Sequence, residues 1–119
     1  MTINNRKISF WCLNHETPVE MIIQQGMSPF YACPKFSEEN RGADEKPCLN
    51  RMTMIDAGGI IERFAAIISE EDDPFNNFVN YYNYSFTYKG GKSKITVKII
   101  KYNDDEIRFG IRNNTALDR

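Results

Sequence analysis

The hydrophobic positions of this chain fall into three regimes. Across residues 7–33 they come in short bursts, "KISFWC", "VEMIIQQ" and "FYAC", each of strand length, with Asn14 to Pro18 and the turn "GMSP" between them. Residues 34–52, "PKFSEENRGADEKPCLNRM", hold too few apolar side chains to pack by themselves and are punctuated by Pro34, Gly42 and Pro47, which predicts a long loop over 34–47. The spacing then changes. Ile60, Ile61, Phe64, Ile67 and Ile68 recur at intervals of three and four, the mark of one helical face, so a helix capped by Asp56 is predicted through "AGGIIERFAAIISEE", ending before Asp72, Asp73 and Pro74.

The C-terminal segment alternates with period two. Tyr82, Tyr84, Phe86 and Tyr88 share one face of a first strand; "GGK" turns the chain; Ile95, Val97 and Ile99 share a face of a second; "NDD" turns it again; Ile107, Phe109 and Ile111 complete a third. This predicts a three-stranded antiparallel meander. Its apolar face needs cover, and the amphipathic helix just upstream needs a surface, so the two are expected to pack together.

At 119 residues, 41% hydrophobic and 13% aromatic, the chain can build one modest core or two small lobes. It has no apolar run of membrane-spanning length, and "MTINNRKISFW" lacks the apolar stretch of a signal peptide, so the expectation is a soluble, cytoplasmic protein with no membrane partner. Three cysteines, an odd number, fit thiolates serving a metal better than a secreted disulfide framework. The net charge of −1 conceals a division: acidic side chains predominate over 36–74 and basic ones over 79–119.

All three cysteines and the single histidine lie between residues 12 and 48. The order is Cys12-x2-His15, then Cys33, then Cys48. A two-residue gap lets two ligands on a tight turn face one ion, and a fold-back at "GMSP" can bring Cys33 beside them. Cys12, His15, Cys33 and Cys48 are therefore the candidate ligands of a structural zinc ion, with Pro34 and Pro47 stiffening the approach of the last two. The competing reading has Cys12 and Cys33 buried as small hydrophobes and His15 on the surface; it leaves the clustering of all four ligand types unexplained.

The run from "CLNH" at 12–15 through "PVEMIIQQG" and "SPFYACPKF" to Pro47 and Cys48 resembles the C-terminal zinc ribbons of type IA topoisomerases. Those modules pair a two-residue knuckle, a Pro, a Gly-containing hairpin, an aromatic before the third ligand and a Pro before the fourth. The resemblance is confined to residues 12–48. It departs from the family at His15, where a cysteine is usual, and in the extra residues between Cys33 and Cys48. It implies binding of single-stranded DNA by aromatic stacking, with Phe30, Tyr31 and Phe36 at the stacking positions.

Two further features bear on function. Lys92, Lys94 and Lys98 share a face of the second meander strand, where Lys89, Arg108 and Arg112 can join them; such a face can bind phosphates, or can be the ordinary solvated side of a half-buried sheet. The tyrosine-rich first strand can stack bases or pack a core. Catalysis finds no support: with His15 engaged there is no other histidine, and no phosphate-binding glycine loop, nucleophile elbow or metalloprotease motif occurs.

The sequence is thus read as α+β, with a zinc-ribbon-like lobe over 1–55 and a helix plus antiparallel meander over 56–119. The expected function is that of a non-enzymatic nucleic-acid-binding accessory favouring single-stranded DNA, in DNA processing or in a mobile genetic element, with no small-molecule substrate. The alternative is a protein-interaction adaptor with purely structural zinc.

Overall fold

The computed structural model describes residues 2–3, 6–69, 83–102 and 105–114, and the side chains of all of these except 2, 3, 68 and 69. Among the described residues it is a mixed α+β structure with one α-helix and two sheets. In chain order the strands are β1 (Thr2–Ile3), β2 (Arg6–Cys12), β3 (Val19–Glu20), β4 (Ile22–Gln24), β5 (Phe30–Ala32) and β6 (Arg51–Thr53). The helix α1 (Met54–Ser69) follows, and then β7 (Ser85–Gly90), β8 (Ser93–Tyr102) and β9 (Glu106–Asn113).

The meander forms as its alternation predicts. Phe86 stands opposite Val97, Tyr88 opposite Ile95, Val97 opposite Ile111 and Ile99 opposite Phe109, so the apolar set shares one face. Gly91, with φ +56, supplies the left-handed turn residue between β7 and β8. Tyr82, Asn103 and Asp104 lie outside the described residues, and the first strand begins at Ser85 rather than upstream of it.

The sheet does not stop at three strands. β2 lies parallel to β9, with Ile8, Phe10 and Cys12 beside Ile107, Phe109 and Ile111, and β1 and β3 pair with β2 on its far edge. Segments from 1–55 and from 56–119 therefore share one sheet, in the order β1-β2-β9-β8-β7. A parallel neighbour must come from a distant part of the chain, which is why local alternation gave no sign of it. With strands on both sides, β9 is the central strand, and Phe109 stacks near Phe10 at 5.8 Å between ring centroids.

The helix covers the core face of this sheet. Ala57, Ile60 and Phe64 are buried, Ile61 and Ile67 are packed against the core, and Phe64 meets Phe109 edge-on at 5.2 Å. Its N-terminus differs from the expectation. Thr53 Oγ1 accepts the Asp56 N–H at 3.0 Å, so Thr53 caps the helix and Asp56 sits inside the first turn, where its carboxylate accepts the Ser93 hydroxyl at 2.8 Å. This is the Thr-x-x-acid arrangement of helix starts, shifted by three residues from the expected cap. Gly59 is required by packing: a Cβ there would run into the Tyr88 ring, whereas one at Gly58 would meet nothing. The expected stop at Asp72 to Pro74 and the side chain of Ile68 lie outside what is described.

The smaller sheet is β4-β5-β6, all antiparallel, in which Ile23, Tyr31 and Met52 form one cross-strand row. The expected single strand over 19–25 is broken. Met21 is buried and donates its N–H to Phe10 O at 2.8 Å; residues before it pair with β2 and residues after it with β5. Phe10 and Tyr31 meet edge-on at 4.9 Å and join the two sheets.

Candidate metal centre

Each of the four sequence-nominated ligands is delivered by backbone geometry. Cys12 ends β2, and His15 lies in the following turn. Cys33 follows β5 directly, with its N–H donated to Asn50 O at 3.0 Å, and the chain then tightens into a 3-10 turn through Phe36 N–H to Cys33 O at 3.1 Å. The long segment before Cys48 is organised rather than loose. Arg41 donates through Nη1 to Phe36 O at 2.8 Å and through Nε to Glu45 O at 3.1 Å, and Cys48 N–H reaches Lys35 O at 3.3 Å. These bonds return the chain to Cys33 across the fourteen-residue gap.

The result is a cluster whose four ligand atoms lie within 4.8 Å of one another. Cys12 Sγ and Cys48 Sγ are 3.7 Å apart, and His15 Nε2 and Cys33 Sγ 3.2 Å. Cys12 and Cys33 are buried, while His15 and Cys48 are half-buried. Burial pushes the Cys12 thiol up, against the Asn50 amide and the Asn14 backbone N–H that favour its thiolate; the nearby Cys48 raises it further. Burial likewise pushes the Cys33 thiol well up, opposed by the Lys35 backbone N–H. His15 is held below the usual imidazole range by burial and by the charge of Lys35, which leaves it the neutral form a metal ligand must have. Three thiolates together are costly here without a cation, and a divalent ion among them offsets that cost. The donor set could hold a metal ion.

Sequence reading missed two residues that support this set. Asn50, buried, donates its amide to Cys12 Sγ at 3.0 Å and to Ile111 O at 2.8 Å, and accepts the Asn113 N–H at 3.0 Å. Asn14 donates to Cys48 Sγ at 3.8 Å. The tripeptide Cys-Leu-Asn occurs at 12–14 and again at 48–50, and each asparagine serves the other tripeptide's cysteine. That repeat was the available signal.

The positions nominated for nucleic acid are placed as follows. Tyr31 turns inward against Phe10, and burial raises its phenol. Phe30 and Phe36 line an open cleft of about 540 Å³ beside Cys33 and Cys48, together with Ile22, Leu49 and Arg51. Phe36 is 55% exposed, and Ile22 and Leu49 are 42% and 43% exposed. Lys94 and Lys98 lie on the outer face of β8, whereas Lys92 belongs to the turn before it. Arg112, opposite Thr96, donates to Leu13 O at 3.0 Å and Asn14 Oδ1 at 3.2 Å, so it braces the knuckle that carries His15. Arg108 pairs with Glu106 and lies over the Trp11 ring, 4.5 Å from its centroid.

Among the described residues no helix is long and apolar enough to cross a membrane. The fold and the site define a small α+β protein with a Cys3His cluster suited to a metal ion. Compared with protein-family models, curated proteins and solved structures, the chain gives no significant match.

Proposed function

We propose that this is a non-enzymatic zinc-ribbon protein that binds single-stranded nucleic acid through the outer face of its larger sheet, with zinc held by Cys12, His15, Cys33 and Cys48. Three soft thiolates and one imidazole are a zinc set, and Zn–S bonds of about 2.3 Å place tetrahedral sulfurs about 3.8 Å apart. The 3.7 Å between Cys12 and Cys48 fits that edge. Four protein ligands close the coordination shell, so the ion holds the fold together and leaves no position for a reacting water.

The observation that carries the binding reading is the pairing of like charges on an open sheet face. Lys89 stands directly opposite Lys94, and Lys101 directly opposite Arg108. Like charges in cross-strand register cost stability, a cost that Glu106 offsets in part at Arg108, and a polyanion laid across them reverses the sign of that term. Lys7 and Lys98 extend the same face, which carries few acidic side chains, Glu106 and Glu20 among them. Titrating zinc-loaded protein with single- and double-stranded oligonucleotides at two salt concentrations tests the reading. Replacing Lys94 and Lys98 by Ala should weaken binding of any sequence and reduce the salt slope by about one unit per lost phosphate contact.

The cleft beside the zinc ligands supports a second reading, a protein-interaction adaptor in which Ile22, Phe36 and Leu49 dock on an apolar partner segment. Such docking changes little with salt. No measurable oligonucleotide affinity at about 50 mM salt, where phosphate contacts are strongest, favours this second reading.

A further inference from the structure

We propose that Trp11 and Arg108 form a nucleobase-stacking subsite at the centre of the basic face, with the base displacing the Arg108 guanidinium from the indole and the guanidinium moving to the adjoining phosphate. The inference rests on the nucleic-acid reading above and adds to it the point at which an unpaired base is held.

Strand alternation puts the pair on the outer face. Ile8, Phe10 and Cys12 of β2 face the core, so Ser9 and Trp11 face out; Ile107, Phe109 and Ile111 of β9 face the core, so Arg108 and Gly110 face out. Trp11 is half-buried, donates its indole N–H to Ser9 Oγ at 2.9 Å, and is thereby fixed in orientation. Its cross-strand neighbours are Glu20 on β3 and Gly110 on β9, the latter covered by the side chains of Leu13 and Ile100, with Lys98 on the strand beyond. Ser9, Arg108 and Lys101 make the parallel row. Two strand spacings, about 10 Å, separate Trp11 from the backbone of Lys98. A base on the indole therefore has Arg108 beside it and Lys98 two strands away for its phosphates, while the Glu20 carboxylate on the β3 side directs the backbone toward β8.

The contact now made over the ring is exchangeable. A cation over a solvent-facing ring shifts an equilibrium by only a few-fold, about fivefold at most, whereas a base stacked on an aromatic ring shifts it about five- to hundredfold. Arg108, with its side chain 28% exposed, exchanges its charge-assisted contact with Glu106 for one with a phosphate when it turns. The phosphate replaces the Glu106 carboxylate as the partner of Arg108, so the ion pairs roughly offset one another, and base stacking outweighs the cation–ring contact given up. A duplex offers no unpaired base, so the subsite selects single strands.

Trp11 is the only tryptophan, so intrinsic emission reports this subsite alone. Zinc-loaded, full-length protein is titrated at about 50 mM salt with a dodecathymidylate and with an abasic phosphodiester of the same length, binding being followed independently by anisotropy of labelled strands. The thymidylate should quench the indole with the midpoint that anisotropy gives, and the abasic strand should bind about tenfold more weakly and leave the emission unchanged. Trp11→Ala should bring the two strands to equal affinity. Arg108→Ala should keep the quenching and lower the salt slope by about one unit. Equal affinity of the two strands for wild-type protein, or anisotropy-detected binding with unaltered emission, overturns the subsite while the basic-face reading stands. Absence of anisotropy-detected binding for both strands overturns the basic-face reading itself, and the subsite with it.

Discussion

Replacing Asn50 by Ala should damage both the fold and the metal site, because one buried amide serves both. The side chain gives two hydrogen bonds, to Cys12 Sγ and Ile111 O, and receives one from the Asn113 N–H. Ile111 O keeps the Leu13 N–H at 3.0 Å, so the loss there is partial. A buried hydrogen bond contributes about 1 kcal/mol net, which puts the cost near 3 kcal/mol. Domains of this size are stable by about 5–15 kcal/mol, so the zinc-loaded variant remains folded and measurable. Groups that orient a metal ligand contribute about 10- to 100-fold to metal affinity, and Asn50 is the amide bonded to the Cys12 sulfur. Urea unfolding of the loaded protein gives the first quantity, and competition against a chromophoric chelator the second. Asn14→Ala is the internal comparison: its contact to Cys48 is 3.8 Å, so the loss of zinc affinity should be smaller, less than about tenfold. An Asn50→Ala protein within about 0.5 kcal/mol of wild type and with unchanged zinc affinity would refute the assigned role.

Purified protein should carry one zinc per chain by elemental analysis, lost in Cys48→Ser, and metal removal should raise hydrogen exchange around Cys33 to Asn50 before it reaches β8; a uniform rise would show that the metal supports the shared sheet as much as the segment around it. Gly59→Ala should be less stable than Gly58→Ala by about 1–3 kcal/mol in thermal unfolding, since only the first Cβ strikes Tyr88, while the second replaces a helical glycine at no steric cost. Lys89→Glu should raise stability by roughly 0.2–1 kcal/mol by creating an opposite-charge pair with Lys94, and should weaken oligonucleotide binding in the same protein. A gain in both stability and affinity would show that the like-charge pair has no part in binding.

The sequence alone determined the features that depend on local period and on ligand chemistry. The helical face of Ile60, Ile61, Phe64 and Ile67 and the alternation that builds β7 to β9 could be read within windows of a dozen residues, because each residue's burial there follows from its own neighbours in the chain. Cys12, His15, Cys33 and Cys48 could be picked out because thiols and imidazole are rare and clustered. Tertiary structure decided everything that depends on distant partners. The parallel join of β2 to β9, the break at Met21 and the inward turn of Tyr31 follow from what Phe10 and Phe109 need to bury, and no local pattern encodes that. The return of Cys48 rests on Arg41, whose bonds to two carbonyls resemble nothing in its sequence surroundings. The outer face changed most: alternation gave the charged set of one strand, but the opposition of Lys89 to Lys94 and the placing of Arg108 over the ring of Trp11 exist only once the register is fixed and β2 has joined β9.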